Sequence, residues 1–360
     1  MTKSHILIVD PTKFLGNLLI ALGIIQEACS QFDEEKQPYT IILDDSFEPL
    51  VSALFKPEAL LYYPRSKLKN ASFPEKAKMF AALISKIRRL KVDKAVDLEG
   101  DSVSRILTRL SGARERIGPE DCARTSWYHQ LSEPRQKPSE FYKYRNITAC
   151  VAKVSKSNPS YGKLNIPEST TRVDSLLQNK TSVGAQKIVI LHVGASKIRK
   201  RWPIDNWIQL ISYLQADGFS PVLIGAGSSD SLTNSTINAA LRSPIPDLAD
   251  RLDLIDLAAL LNTAIFYIGN DSGPMHLATA LGVPAIVIFG PTNELIWGPL
   301  LDSTTVMRGY SCPAQCRNGH ECKLGFPCLT NLTAENVREK FLFKIQDTVP
   351  VKRKFESSSS

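Results

Sequence analysis

Short apolar runs alternate with stretches of helical period through both halves of the chain. In the first half, residues 5–9, 40–43, 60–63 and 94–98 read as buried strands. Helix-period sequence follows each of them, at residues 15–30, 47–55, 74–90 and 102–110. The second half repeats the theme, with strands at 188–193, 221–224, 266–268 and 285–289 and helices at 204–216, 254–262 and 275–281. Such alternation predicts parallel sheets covered by helices on both faces. The expected fold class is therefore α/β, with two doubly wound domains.

Residues 146–186 are rich in Lys, Ser, Asn and Pro and lack a sustained apolar period, so the boundary is expected there. This gives an N-terminal domain at 1–165, a linker at 166–186 and a C-terminal domain at 187–332. A last helix is expected at 333–348, then a disordered tail at 349–360 that ends in four serines. The longest apolar stretches, 18–25 and 280–289, are broken by Gly or Pro and fall short of the roughly 20 residues a bilayer helix needs. Residues 1–3 lead straight into the first strand without an apolar leader, which points to a cytoplasmic protein.

Composition narrows the classes further. With 43% hydrophobic and 22% charged residues, the chain is neither disordered nor collagen-like. The net charge of +8 is unevenly spread: residues 1–150 carry 23 basic and 19 acidic side chains, 151–185 carry 5 and 2, 186–335 carry 10 and 12, and 336–360 carry 6 and 3. A basic first half suits an anionic partner. No zinc-finger spacing, aromatic RNA-binding pattern or helix-turn-helix signal accompanies it, so nucleic acid is not the expected one. Seven cysteines are too few for a disulfide scaffold, yet Cys312, Cys316, Cys322 and Cys328 cluster, with His320 among them. Four thiolates could hold zinc or iron, although the spacing is not the short Cys-x2-Cys knuckle. A reduced or loosely paired loop is the favoured explanation of the cluster, and no metal is assigned.

Ligands of open α/β sheets bind beyond the carboxyl ends of the strands, so the residues following each strand are the first candidates. The strongest segment is Gly269-Asn270-Asp271-Ser272-Gly273-Pro274-Met275-His276. Asp271 or Ser272 suits a helix N-cap and Pro274 the first turn. Amides of Ser272, Gly273 and Met275 would then face a diphosphate at the positive end of the helix, with His276 adding a donor. A plain capped helix with a buried histidine fits the same spacing. His192-Val193-Gly194-Ala195-Ser196 ends another strand and leads into Lys197-Ile198-Arg199-Lys200-Arg201, whose charges can neutralise phosphate or merely face solvent. Phe289-Gly290-Pro291-Thr292 supplies a further tight turn, and Gly225-Ala226-Gly227 a weaker one.

Taken with Leu277-Ala278-Thr279-Ala280-Leu281-Gly282-Val283-Pro284, Asp97-Leu98-Glu99-Gly100, Gly112–Gly118 and Lys200-Arg201-Trp202-Pro203, these motifs resemble the bacterial lipopolysaccharide core heptosyltransferases, glycosyltransferase family nine, in order and spacing over about 330 residues. The resemblance implies the GT-B architecture, two Rossmann-like domains facing a cleft, and an inverting, metal-independent transfer that needs no cofactor. It implies ADP-L-glycero-D-manno-heptose as donor and the Kdo–lipid A inner core, or a heptose already on it, as acceptor. It places Ala195, Ser196 and Lys200 at the diphosphate, and Asp271, Ser272, Gly273 and His276 around the sugar and phosphates. The basic first half, with Arg65, Lys67, Lys69, Arg114 and Arg116, would face the phosphorylated acceptor and an anionic leaflet, in a protein peripheral to the cytoplasmic face of the inner membrane.

An inverting transfer needs a base for the acceptor hydroxyl and positive groups for the departing ADP. Lys200, His276 and the helix N-terminus serve the second need. For the first, the family's usual aspartate is replaced by Asn17, whose amide cannot accept a proton. Asp97, Glu99 or Asp101 after the fourth strand could replace it, with Asp97 the favoured catalytic candidate. Alternatively, donor-side stabilisation alone sustains a slow reaction, or the chain binds without catalysis. A relative using another nucleotide sugar is a further reading.

Overall fold

The computed structural model describes residues 4–154, 159–167, 169–178, 187–309, 322 and 324–348. The chain divides into two compact units, Met1–Pro167 with Leu295–Leu301, and Glu168–Glu294 with Asp302–Ser360. Each is built on one parallel sheet. The expected disordered tail at 349–360 lies outside the described residues.

In the first unit, strands β1 (Ile6–Asp10), β2 (Tyr39–Asp44), β3 (Leu60–Tyr63), β4 (Lys94–Asp97), β5 (Glu115–Gly118) and β6 (Gln130–Leu131) stand in the order β3-β2-β1-β4-β5-β6. All neighbours are parallel, with Val9 of β1 opposite Ile42 of β2 on one side and Asp97 of β4 on the other. The five residues of β1 are all buried, the pattern of a central strand covered on both faces. Leu7, Val9, Ile42 and Ala95 form one core layer with Leu83 and Ile87 of the helix Phe73–Arg89 and Leu107 of the helix Ser102–Leu110. Ser72 and Glu75 close a capping box at the start of the former helix.

The helix Leu15–Glu34 is longer than its sequence suggests. Gly23 does not break it; a side chain there would crowd the backbone of Ser160 and Gly162, at 2.9 and 3.0 Å, so glycine allows that segment to pass close over the helix. The result is a 20-residue helix that by length and composition could cross a membrane. Its apolar residues, Leu18, Leu19, Leu22, Ile25 and Phe32 among them, are instead buried in the unit, as in a core helix. The helix expected at 47–55 shrinks to Glu48–Val51 after a short 3-10 turn.

The second unit carries β7 (Ile188–His192), β8 (Ser220–Ile224), β9 (Phe266–Asn270), β10 (Ala285–Ile288) and β11 (Thr304–Met307) in the order β11-β10-β9-β7-β8, again all parallel. Trp202 and Trp207 pack edge to face, centroids 5.0 Å apart, and the Trp202 indole N–H donates to the Leu332 carbonyl at 2.8 Å. The helix Ala334–Thr348 is held by Phe341, which meets Phe219 and Phe266 edge to face, and by a bidentate Arg338–Asp217 pair at 2.7 and 2.8 Å. Within the stretch expected to be a linker, Thr171–Gln178 is a helix of this unit, tied down by the Thr170 hydroxyl donating to Asp256 at 2.7 Å. In both sheets the strand order reverses beside the first strand of the unit. Those two points, β1/β4 and β7/β9, are where α/β sheets open to ligands.

Candidate active site

At the switch point of the second unit, β7 and β9 run side by side with His192 opposite Gly269. Asn270, fully buried at the end of β9, donates from Nδ2 to the Val193 carbonyl at 2.8 Å and accepts from the Trp202 amide at 3.2 Å. One side chain thus fixes the loop after β7 and the chain entering the helix Ile204–Ala216. Asp230 performs a similar task on the other side of that loop. It receives Arg201 at 3.0 Å, lies 3.6 Å from His192 and accepts from the Ala226 amide at 3.2 Å. Burial pushes its carboxyl up, but His192, the amide and Arg201 together hold it below the usual range. A side chain on Gly194 would collide with this carboxylate and one on Gly225 with the Asp230 Cβ, which accounts for both glycines.

The helix Gly273–Ala280 starts from Ser272, whose backbone is extended but whose hydroxyl makes no capping bond. That hydroxyl donates to the Asn270 carbonyl at 3.1 Å and pairs with His192 Nδ1 at 2.9 Å. The first-turn amides are therefore not consumed by the Ser272 side chain. Lys200 reaches across to the buried Asp271, Nζ to Oδ2 at 2.7 Å. His276 is buried in the same turn; desolvation lowers its pKa to about 4, with Asp271 opposing and Lys200 reinforcing the shift. It is accordingly neutral near pH 7, a correction to the expectation of a positive group there. Of the basic run, Lys200 faces this turn, whereas Arg201 is spent on the Ala195 carbonyl, at 3.0 and 3.2 Å, and on Asp230. Ala195 is buried and Ser196 exposed on the same loop. The second unit thus brings Ala195, Ser196, Lys200, Asp271, Ser272, Gly273 and His276 onto neighbouring strand ends.

The switch point of the first unit is built from carboxylates. Asp10, Asp44 and Asp97 end the adjacent strands β1, β2 and β4, and all three are fully buried. Asp44 is paired with Arg65, which also donates to the Pro11 carbonyl at 2.7 Å. Asp97 accepts the Tyr128 hydroxyl at 2.5 Å and the Gly100 amide at 2.8 Å. The Tyr128 ring lies so close over Gly118 of β5 that a side chain there would meet it at 2.5 Å. Burial raises the Asp97 carboxyl to about 6 against these hydrogen bonds. Asp10 has no well-formed hydrogen bond among the described residues. Burial and the nearby Glu99 drive its pKa well up, with Lys143 and the Thr12 backbone opposing.

Glu99 is different, because part of it reaches solvent. Its Oε1 accepts from Tyr144 at 2.9 Å and from Asn17 Nδ2 at 3.3 Å, and Oε2 lies 3.4 Å from the same amide. Lys143, paired with Glu140 at 2.9 Å, reaches the Glu99 carbonyl at 3.5 Å. Asp101 is committed to capping the helix Ser102–Leu110, accepting from Val103 and Ser104, each at 2.8 Å.

The sequence model of glycosyltransferase family 9 (heptosyltransferase) matches residues 80–325. The chain belongs to that family. Lipopolysaccharide heptosyltransferase 3 of Escherichia coli is 28% identical over 296 residues, which cover 80% of this chain and 84% of that protein. The crystal structure of a family 9 glycosyltransferase from Veillonella parvula superposes with a TM-score of 0.76 at 17% identity, over 96% of this chain and 99% of that one. The E. coli heptosyltransferase WaaC with ADP-2-deoxy-2-fluoro heptose gives 0.68 at 20% identity, over 94% and 99%. These solved relatives share the GT-B fold with the present chain. It is accordingly a glycosyl-transferring enzyme of family 9.

Placed in this family 9 enzyme, several expectations change. Asp97, the favoured catalytic candidate in the sequence, is sealed beneath Tyr128 with each oxygen occupied, so it supports the β4 end rather than reaching a substrate. Arg65 and Arg116 are not free surface charges. The first is held by Asp44 and the second by the Trp127 carbonyl at 2.8 Å and His129 at 3.1 Å. Cys312, Cys316 and His320 lie outside the described residues; among the described ones Cys322 and Cys328 are unbridged. Sequence reasoning missed Asp10, Tyr128, Lys143 and Tyr144, and assigned no role to Asn270 and Asp230. Asp10 carried a usable signal, an acidic residue closing an otherwise apolar strand just before Pro11.

Proposed function

We propose that the enzyme transfers L-glycero-D-manno-heptose from ADP-heptose to the Kdo–heptose inner core of lipopolysaccharide, with inversion and without a divalent metal. The observation that carries this reading is the Lys200–Asp271 pair beside the uncapped start of the helix Gly273–Ala280. Amides and an ammonium group directed at one turn suit a diphosphate, and they strengthen their hold as negative charge develops on a leaving ADP. Ala195, Ser196, Ser272, Gly273 and the neutral His276 line that turn as hydrogen-bonding or close-approach groups. Asp271 anchors Lys200 and accepts from the sugar. The names of the relatives support the sugar and the acceptor: one is a lipopolysaccharide heptosyltransferase, and another holds a fluorinated ADP-heptose.

The acceptor is assigned to the first unit. Lys67, Lys69 and Arg114 remain exposed there and suit the phosphates of a lipid A core at the cytoplasmic face of the inner membrane. Incubation with ADP-heptose and heptose-deficient lipopolysaccharide tests the reading. A core heavier by one heptose, with stoichiometric ADP, is expected. Binding of ADP-heptose without turnover would favour the non-catalytic alternative, and preferential stabilisation by a UDP-sugar the related-donor one.

A further inference from the structure

The structure leaves the proton of the acceptor hydroxyl without an obvious destination, since position 17 is an amide. Besides Asp44, which is paired with Arg65, four carboxylates lie near the β1/β4 switch point. Asp10 is fully buried, Asp97 is covered by Tyr128, and Asp101 caps a helix. Glu99 is a partly exposed residue whose carboxylate is oriented by side chains from two other elements and, unlike Asp101, is not committed to a helix cap. Its two oxygens are unlike. Oε1 is occupied by Tyr144, whereas among the described residues Oε2 meets only the long contact from Asn17 at 3.4 Å and keeps a lone pair for a further proton.

We propose that Glu99 is the general base of the transfer, with Asn17 and Tyr144 as positioning residues that hold its carboxylate toward the acceptor. This rests on the transferase reading above. In the step, the acceptor O–H bond breaks and its proton passes to Glu99 Oε2. The electron pair of that bond forms the new link to the anomeric carbon. The anomeric C–O bond to the β-phosphate breaks, and its pair leaves with ADP. Asn17 takes part as a donor: its Nδ2 faces both oxygens of the base, a role an aspartate at 17 would reverse into charge repulsion.

The surrounding charges suit the task. Burial lifts the Glu99 carboxyl above the ordinary glutamate range, and Lys143, Tyr144 and Asn17 restrain the rise, while Asp101 adds to it. Asp10 on β1 is the more deeply buried of the two, and burial with the nearby Glu99 pushes its carboxyl well up. Glu140, on the same helix as Lys143 and Tyr144, is neutralised by Lys143 and Arg135, at 2.9 and 2.7 Å.

The test compares the wild-type enzyme with Glu99→Gln and Glu99→Asp by two readouts. One is heptose transfer to heptose-deficient lipopolysaccharide, and the other is slow ADP release from ADP-heptose into water without acceptor. Glu99→Gln keeps the acceptor for Tyr144 and is expected to lose about 10²–10⁴-fold in turnover, with the ADP-heptose dissociation constant within about twofold. Glu99→Asp is expected to recover part of the loss. Tyr144→Phe should move the acid limb of the pH–rate profile to higher pH, a shift that mere structural support would not produce. Turnover of Glu99→Gln within about threefold of wild type would overturn the inference and leave the transferase reading standing. Wild-type protein that binds ADP-heptose but neither transfers nor hydrolyses it would overturn both.

Discussion

The two switch points hold their charges in opposite ways. In the second unit, opposite charges are matched: Lys200 with Asp271 and Arg201 with Asp230. The first unit crowds Asp10, Asp97 and Glu99 together, with Lys143 offsetting Asp10 and Glu99, and all three carboxyls are pushed upward. Matched pairs suit a site that presents a fixed field to a phosphate. Crowded carboxylates suit a site that must take up and release a proton, because burial and like charge bring their titration closer to neutrality. The difference teaches that equivalent positions in two similar sheets can be given different chemistry by strand-end side chains alone.

The sharpest way to break this comparison is to remove the fixed charge. Lys200→Ala is expected to lower turnover by about 10²–10³-fold, the scale of losing one transition-state charge partner, and to weaken ADP binding as well. Steady-state kinetics with an ADP competition assay would check both. Equal turnover would mean that the helix amides act without the ammonium group.

Next in size are two pH effects of opposite sign. The Asp97 carboxyl is raised in the fold to about 6, so its contribution to stability is present below the unfolded value near 4 and is lost as pH climbs through 6. Asp97→Asn should flatten that decline, which amounts to roughly 3 kcal/mol, in unfolding curves taken between pH 4 and 7. His276 is lowered to about 4, so the fold loses stability as pH falls from about 6.5 through 4, also by roughly 3 kcal/mol. His276→Gln should remove this acid-side loss. Curves that stay parallel to wild type would show that neither group is buried in the folded protein as described.

A smaller effect sharpens the geometry. Gly194→Ala places a methyl group against the Asp230 carboxylate and is expected to cost about 1–3 kcal/mol, with donor binding weakened because the same carboxylate orients Arg201 and the Ala195 carbonyl. Thermal unfolding with and without ADP would separate the two consequences.

How much of this was legible in the sequence follows the same division. The second site is largely contiguous, residues 269–276 plus one strand-end loop, so spacing pointed to that turn, while the family resemblance was needed to give its members their roles. The first site is assembled from positions 10, 17, 97, 99, 128 and 144 on five separate segments, and no local pattern links a strand-end aspartate to Tyr128 or Tyr144. Asp97 therefore looked like the available carboxylate until the ring above it was placed. Elements missed by periodicity have their own causes. β5 reads Glu-Arg-Ile-Gly and β6 has only two residues, so neither resembles an apolar run. The helix Ser228–Ala240 is rich in Ser, Thr and Asn, which compete with helical hydrogen bonding. Here Thr233, Ser235 and Thr236 instead donate to carbonyls four residues earlier, and Ile237 and Asn234 are buried.

The division of labour between the two units is tested most directly by calorimetric titration of ADP-heptose into wild-type, Lys200→Ala and Glu99→Gln proteins at pH 7. The account predicts a clear loss of affinity for Lys200→Ala and an unchanged dissociation constant, within about twofold, for a catalytically crippled Glu99→Gln. Weakened binding in Glu99→Gln together with wild-type affinity in Lys200→Ala would contradict it.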